Sequence, residues 1–589
     1  MDFFDLLSMV GGLALFLYGM NLLGDGLAKA SGGRMEMILE KLTNNPIKAV
    51  LMGAAVTAVI QSSSATTVMV VGFVNSGIMK LQQAVGIIMG AHIGTTVTSW
   101  ILGLSGIESD AFFVKLLKPS SFAPVLALIG VAIIMFSKSE KKKNVSLILI
   151  GFAILMTGMD TMSAAVKPLR DVPEFTSILT KFSNPIAGML AGVVLTAVIQ
   201  SSSASVGILQ ALCATGAVSF GAAIPIIMGQ NIGTCVTAMI SSIGAKKNAK
   251  RAALIHLYFN IIGTVAFMIG FYILHAIIKF PFMNEAADAW GIAVVHSVFN
   301  VCATLILLPF SNGLVKLATL SVPDDAEEAP KTHAETVLSI LDSRFLDVPS
   351  LAVEQARNAA DEMAALAEEA MNTAMDLLAN YDKTKAKRVV ELEREVDIFE
   401  DQIGTYLVKV SSKDLSERDS HTLSVILHAI GDFERISDHA RNVMEAAKEM
   451  HEKDLVFSEK AQAELDVFKK AIHDIIRMAM MSFIENDLSL AKQVEPLEEV
   501  IDSLNMEIKA RHVKRLRKGK CTIELGFILA DITTNFERVS DHCSNIAVCL
   551  LEVNENEFDT HAYVRAMKKD DNIEFKSKVL AYEKRYQLP

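Results

Sequence analysis

A run of hydroxyl and amide side chains set in the middle of an apolar stretch, and present twice, constrains this chain more than any other feature. Gln61-Ser62-Ser63-Ser64-Ala65-Thr66-Thr67 reappears as Gln200-Ser201-Ser202-Ser203-Ala204-Ser205. The lead-in repeats too, Asn45-Pro46-Ile47 as Asn184-Pro185-Ile186 and Thr57-Ala58-Val59-Ile60 as Thr196-Ala197-Val198-Ile199. Further on, Gly90-Ala91-His92-Ile93-Gly94-Thr95-Thr96-Val97-Thr98 is matched by Gly229-Gln230-Asn231-Ile232-Gly233-Thr234-Cys235-Val236-Thr237. The offset is 139 residues at every match, an internal duplication without a gap. Consecutive polar side chains left unpaired in hydrocarbon cost several kcal/mol each, so they must face protein, water or a ligand. Small residues at a helix crossing would account for one such stretch. Two at one offset, each followed by its own Gly-x-x-Ile-Gly-Thr element, point to a binding site.

The apolar setting is that of a membrane. The chain has 589 residues, of which 51% are hydrophobic. It is apolar and Gly-rich up to about Leu320 and acidic, charged and helical from about Val322. Because a helical crossing needs roughly 20 apolar residues, full crossings are expected near 6–23, 81–104, 122–136, 145–163, 220–243, 252–278 and 291–310. Segments 47–78 and 186–218 are long and apolar but broken at the Gln-Ser-Ser-Ser run, and are expected to be re-entrant hairpins. The opening Met1-Asp2-Phe3-Phe4-Asp5 lacks the basic flank of a cleavable signal, so the first apolar segment is expected to stay as a span. Lys29, Arg34, Lys41 and Lys48, then Lys138, Lys141, Lys142 and Lys143, then Lys246, Lys247, Lys250 and Arg251 fall on one face with this arrangement. The positive-inside rule makes that face cytoplasmic, with the N-terminus outside and the C-terminal half inside. Three crossings separate the repeats, which gives them inverted topology, with the hairpin tips meeting near the midplane.

Electrostatics narrows the ligand. No charged residue lies between Pro185 and Ser242, and between Pro46 and Met79 only Lys48 does. An anion there would rest on hydroxyls, backbone N–H groups and the positive ends of half-helices. Its remaining charge calls for bound cations, and hydroxyl, amide and carbonyl oxygens suit Na+. No buried carboxylate offers a proton site. The net charge of −11 argues against nucleic acid. The six cysteines show no metal spacing and read as reduced thiols. An enzyme is not expected, since the serine runs lack a nearby base and there is no P-loop.

The paired Gln-Ser-Ser-Ser hairpins with their Gly-x-x-Ile-Gly-Thr elements resemble the type II sodium-phosphate cotransporters across the membrane half. By that resemblance Gln61, Ser62, Ser63, Ser64, Thr66, Gln200, Ser201, Ser202 and Ser203 line the inorganic phosphate and Na+ sites, supported by Thr95, Thr96, Asn231 and Thr234. One departure is His92, where the second copy and the family carry Asn. Imidazole titrates near neutrality, which would make transport pH-sensitive.

Beyond the acidic linker Val322–Pro330 a second duplication appears. Phe433-Glu434-Arg435-Ile436-Ser437-Asp438-His439 recurs as Phe536-Glu537-Arg538-Val539-Ser540-Asp541-His542, and Glu393 and Asp397 correspond to Glu498 and Asp502. Each Glu-x-x-x-Asp places two carboxylates on one helical face, a turn apart. This half resembles a PhoU-type domain of two three-helix bundles, in which such motifs bind metal clusters. The implied ligands are Glu393, Asp397, Glu434, Asp438, Glu498, Asp502, Glu537 and Asp541, the metal itself being undetermined. The basic strip Lys509, Arg511, His512, Lys514, Arg515, Arg517, Lys518 and Lys520 reads either as a solvated turn or as a contact for lipid headgroups or another subunit.

The expected fold is therefore all-α: a polytopic transporter of two inverted repeats, each with a re-entrant hairpin, followed by a cytoplasmic pair of three-helix bundles. The boundaries are 1–320 for the membrane domain (repeats about 5–137 and 145–278, an extra crossing 291–310), 321–347 for a linker, 348–555 for the PhoU-type domain and 556–589 for a tail. The expected activity is Na+-coupled phosphate symport across a bacterial inner membrane. A phosphate receptor signalling through the PhoU-type domain, or a carrier of another oxyanion, remains open, as do a homodimer and a cytoplasmic regulatory partner.

Overall fold

The computed structural model describes residues 3–31, 45–104, 119–323, 333–555 and 573–589. Arg34, Lys41, most of the acidic linker and the first part of the expected tail lie outside the described residues. The chain divides into two compact units, Met1–Ala329 and Pro330–Pro589, and the described residues of both are helical, with no strand.

In the first unit the helices are α1 (Phe3–Ser31), α2 (Pro46–Ile60), α3 (Ser63–Ser76), α4 (Leu81–Gly103), α5 (Pro119–Phe136), α6 (Glu140–Val166), α7 (Pro173–Phe182), α8 (Pro185–Ile199), α9 (Ser202–Cys213), α10 (Phe220–Ser241), α11 (Lys247–Ile278), α12 (Ala289–Leu307) and α13 (Ser311–Ser321). Six segments among the described residues are long and apolar enough to cross a bilayer: Phe3–Ala30, Leu81–Gly103, Lys141–Leu169, Phe220–Ser241, Lys247–Ile278 and Ala289–Ser321. They coincide with six of the seven expected crossings. The seventh falls on α5, whose 18 described residues are at the short end of the roughly 17–25 that a crossing takes.

Each polar run is a break between two half-length helices, as expected. α2 and α8 have 15 residues each, α3 has 14 and α9 has 12. At ~1.5 Å per residue none spans the core alone. Asn45 and Asn184 start the entering helices, each side-chain oxygen accepting from two backbone N–H groups, and Pro46 and Pro185 follow where a helix needs no N–H. The duplication extends to packing. α2 lies on α4 and α8 on α10 with backbones in contact: a methyl group at Gly90 would run into the Val50 carbonyl oxygen, and one at Gly229 into that of Met189. These glycines hold the hairpins against full-length helices, which fixes where the breaks sit.

The second unit contains α14 (His333–Leu338), α15 (Pro349–Leu377), α16 (Lys383–Ser411), α17 (Glu417–Glu452), α18 (Glu459–Glu485), α19 (Leu488–Arg517), α20 (Ile523–Glu555) and α21 (Ile573–Arg585). α15–α17 and α18–α20 form two antiparallel bundles. Asp382, Ser416, Ser458 and Asp487 cap the helices after the turns, each accepting backbone N–H bonds. The duplicated motif supplies a core aromatic to each bundle. Phe433 meets Phe483 edge-on at 5.0 Å, and Phe536 meets Phe468 at 5.4 Å. The end of the chain belongs to this core: Arg585 and the Tyr586 hydroxyl both reach Asp474 at 2.5 Å, and Arg511 donates to the Pro589 carbonyl oxygen at 2.6 Å. α14, which falls within the expected linker, likewise buries Ala334 and Leu338.

Candidate phosphate and sodium site

Gln61 and Gln200 occupy equivalent left-handed positions, φ 59° and ψ 19° in both, as the residues that end α2 and α8. Gly or Asn adopts this conformation readily, and Gln is strained in it. A strained residue in both repeats argues that the amide side chain is needed. The backbone N–H groups of Gln61 and Gln200 close their helices onto the Thr57 and Thr196 carbonyls, at 2.8 and 2.7 Å. The next residue reverses the chain to extended geometry: Ser62 and Ser201 cap α3 and α9, their hydroxyls accepting from Ala65 N–H at 3.1 Å and Ala204 N–H at 3.2 Å.

The two tips meet. Ser63 Oγ lies 3.4 Å from Ser202 Oγ, and the Ser64 hydroxyl donates to the Gln200 carbonyl oxygen at 3.3 Å. Ser63, Ser202 and Ser203 are buried. The first turns of α3 and α9 thus converge, each with N–H groups that helix geometry leaves without intrahelical partners. Two positive helix ends and a set of serine hydroxyls facing one another, with no charged side chain in either hairpin tip, make a neutral arrangement whose chemistry suits an anion.

The two copies differ in how their hydroxyls are used. In the first, Thr57 donates to Thr66 Oγ1 at 3.0 Å, and the Thr98 hydroxyl donates to Gln61 Oε1 at 2.9 Å while the Gln61 amide N–H reaches the Ala58 carbonyl. In the second, the equivalent hydroxyls of Thr196, Ser205 and Thr237 are buried without a hydrogen-bond partner, and the Gln200 side chain is exposed. Unpartnered buried oxygens are costly unless something binds them. Hydroxyl oxygens beside a broken helix are the donor set a small hard cation takes.

The expected supporting residues are held by hydrogen bonds of their own. Thr95, Thr96 and Thr234 turn their hydroxyls back to their own helices, onto Ala91, Ile93 and Gln230 carbonyls. Asn231 donates to Asn300 Oδ1 at 2.6 Å. His92 Nε2 lies 2.8 Å from His256 Nε2 and 3.1 Å from Asn260 Nδ2. Behind this lies a repeat the sequence reading missed. His256-x-x-Phe259-Asn260 on α11 and His296-x-x-Phe299-Asn300 on α12 are the same motif 40 residues apart. Position 92 of the first repeat is bonded by one copy and position 231 of the second by the other. A search for short polar repeats inside the later spans would have found it.

In the second unit the carboxylates behave differently in the two bundles. Glu498, Asp502 and Asp541 bring one oxygen each within 4.8 Å of one another. Burial pushes the Asp541 carboxyl above its ordinary range, with Arg538 pulling it down and Glu537 adding to the rise. Glu537 itself accepts from Asn505 Nδ2 at 3.0 Å. In the first bundle Glu393 is paired with Arg441 at 2.7 Å, and Ser544 takes the arginine's place in the second. Glu434 is raised by burial and by Asp438, and Asp397 also acts on it. Asp438 faces Arg435 at 3.5 Å. Of the basic strip, Arg511 and Arg515 hold the buried Glu464, at 3.3 and 2.7 Å, and His512 is buried. Those three residues are structural.

Comparisons with known proteins agree with this architecture. The Na+/Pi-cotransporter family model matches residues 15–164 and 170–287, and the PhoU domain model matches 360–447 and 467–550. YjbB of Escherichia coli strain K12, named as a candidate inorganic phosphate export protein, is 24% identical over 564 residues, 93% of this chain and 97% of that one. YqeW of Bacillus subtilis strain 168 is 30% identical over 319 residues, 54% of this chain and 98% of its own. The rat sodium-dependent phosphate transport protein 2A is 26% identical over 175 residues, 29% of this chain and 26% of that protein. The chain is a multi-pass membrane protein of the Na+/Pi-cotransporter family, with a PhoU domain following its membrane unit.

Proposed function

We propose that the chain is a Na+-coupled inorganic phosphate symporter, in which two inverted repeats alternate access to a phosphate held between the Gln-Ser-Ser-Ser hairpin tips. The observation that carries this reading is the convergence of the α3 and α9 N-termini, with Ser63 and Ser202 hydroxyls 3.4 Å apart and no charged side chain in either tip. Phosphate would take the orphan N–H groups and serine hydroxyls. Na+ would take the hydroxyl oxygens of Thr196, Ser205 and Thr237, supplying the positive charge that this site lacks. Because binding is linked, Na+ then raises phosphate affinity and phosphate raises Na+ affinity by the same factor.

In this reading the protein sits in a bacterial inner membrane with its N-terminus outside. The PhoU domain lies in the cytoplasm and regulates transport. A divalent metal would bind Glu498, Asp502 and Asp541, since carboxylate oxygens suit hard cations such as Mg2+ or Mn2+. In the first bundle Arg441 already neutralises Glu393.

A second reading, phosphate export, is favoured by the near full-length likeness to YjbB. Both directions use the same site. Equilibrium binding of labelled phosphate to the purified protein, in Na+ and in choline, tests the shared claim: the reading requires at least tenfold tighter binding in Na+, and equal affinities would remove Na+ from it. Efflux from phosphate-loaded vesicles under opposed Na+ gradients separates import from export.

A further inference from the structure

Position 92 breaks the symmetry of the duplication, and its surroundings say what the break does. His92 and His256 are 3% and 1% exposed, and their Nε2 atoms are 2.8 Å apart. One nitrogen must donate and the other accept. His92 Nε2 is also approached by Asn260 Nδ2, which as an amide nitrogen can only donate. With Asn260 as a donor to it, the consistent tautomer puts the lone pair on His92 Nε2 and the shared proton on His256 Nε2. That leaves His256 Nδ1 as a basic lone pair, and this atom is buried without a partner. In the second repeat the same place is filled by Asn231 bonded to Asn300, a pair that carries no titratable nitrogen.

We propose that the His92–His256 pair is a proton-binding site coupled to the anion site, so that the protein takes up a proton together with phosphate. The step is an addition: a proton from solvent joins the His256 Nδ1 lone pair, the neutral pair becomes a monocation, and the Nε2–H···Nε2 bond to His92 is kept. The same proton leaves to solvent when the anion does. This rests on the reading of the hairpin tips as the phosphate site.

The surroundings explain the coupling. The groups facing the pair are His296 of α12, which acts on it electrostatically and is bonded to Ser99 at 2.7 Å, and the Cys235 thiol of α10, which accepts from Asn260 at 3.3 Å. α3 and α9 carry no charged residue. Lys48 of α2 and Lys316 of α13 are exposed, and Arg251 of α11 is bonded to the Val322 carbonyl and Asn248. Among the described residues no carboxylate stands by to balance a protonated pair. A buried cation without a counterion is costly, and an anion entering the neighbouring cradle lowers that cost. The mechanical link is short: α4 carries His92 and, less than two turns on, Thr98, which holds the Gln61 amide at the hairpin tip.

The test compares full-length protein with its His92→Asn and His256→Gln variants in weakly buffered detergent solution, using a pH-sensitive dye as inorganic phosphate is added. The wild type is expected to take up as much as about one proton more per bound phosphate than either variant near neutral pH. Its transport in vesicles is expected to fall more steeply with rising pH than theirs, by up to about tenfold per pH unit for one linked proton. Equal proton uptake in all three proteins, with phosphate bound normally, overturns the proton site and leaves the phosphate reading intact. Wild-type protein that binds no phosphate at either about pH 5.5 or about pH 8 overturns both. Should neither variant fold, the wild type decides alone: the excess uptake must disappear as pH rises past the imidazole range, and uptake that follows only the titration of phosphate itself overturns the proposal.

Discussion

Ser63 and Ser202, 139 positions apart in the chain, bring their hydroxyl oxygens to 3.4 Å of each other. Each is the first helical residue after a break, so one contact ties together the two tips and the two positive helix ends. A ligand between them would be shared equally by the repeats. Ser63→Ala and Ser202→Ala are each expected to weaken phosphate binding about tenfold to a hundredfold, the range for losing one hydrogen bond to a charged group. Both variants should keep the wild-type melting temperature, because neither hydroxyl caps its helix. Labelled-phosphate binding and thermal melts check this.

The left-handed glutamines give an opposed pair of effects. Gln61→Gly removes backbone strain worth about 1 kcal/mol and should leave stability unchanged or raised. The same change deletes the amide that Thr98 and the Ala58 carbonyl hold, and transport should fall by more than tenfold. A variant that transports normally would mean that Gln61 serves only as a helix cap.

A bound divalent cation in the second bundle has a defined pH signature. Asp541 is raised by burial, so its contribution to stability is present at low pH and is lost as pH rises through its folded value. A cation binds the deprotonated cluster, and its stabilising effect should appear over that same rise. At a concentration about 100 times Kd the gain is about 2.7 kcal/mol. Melts of a Pro330–Pro589 fragment in Mn2+ and in chelator should show it, Asp502→Asn should abolish it, and Glu393→Gln should not.

Asp361 offers a metal-independent control. Its carboxyl is pushed up to about 6 by burial, against the opposing pull of Arg357 at 3.0 Å. With the folded value above the ordinary one of about 3.9, its contribution is complete below about pH 4 and is lost as pH rises through about 6. In chelator, the fragment should lose about 1 to 2 kcal/mol over this interval, allowing for partial exposure. Asp361→Asn should flatten that segment of the profile.

The hairpins were legible because a duplicated polar run in hydrocarbon has few physical outcomes, and the 139-residue offset marked which residues correspond. The six long spans followed from length and hydropathy, and α5, with 18 described residues, stands at the short end of what a crossing takes. The hydrogen-bond partners of Thr95, Thr96 and Thr234 were not legible. Threonine in a helix can turn its hydroxyl to its own backbone or outward, and sequence does not choose between them. Thr98, one face further round, was the residue that reached Gln61. The His-x-x-Phe-Asn pair on α11 and α12 went unread because single polar residues in spans look like packing until their partners at positions 92 and 231 are seen. The carboxylate motifs were legible as pairs, but Arg441 against Ser544, which distinguishes the two bundles, lies outside the motif.

The most direct measurement is uptake of labelled phosphate into vesicles containing the purified protein, under an inward Na+ gradient, with no gradient, and with Ser202→Ala. The account predicts accumulation that depends on the gradient and falls at least tenfold in the variant. Wild-type uptake that is indifferent to Na+, or unaltered in the variant, would contradict it.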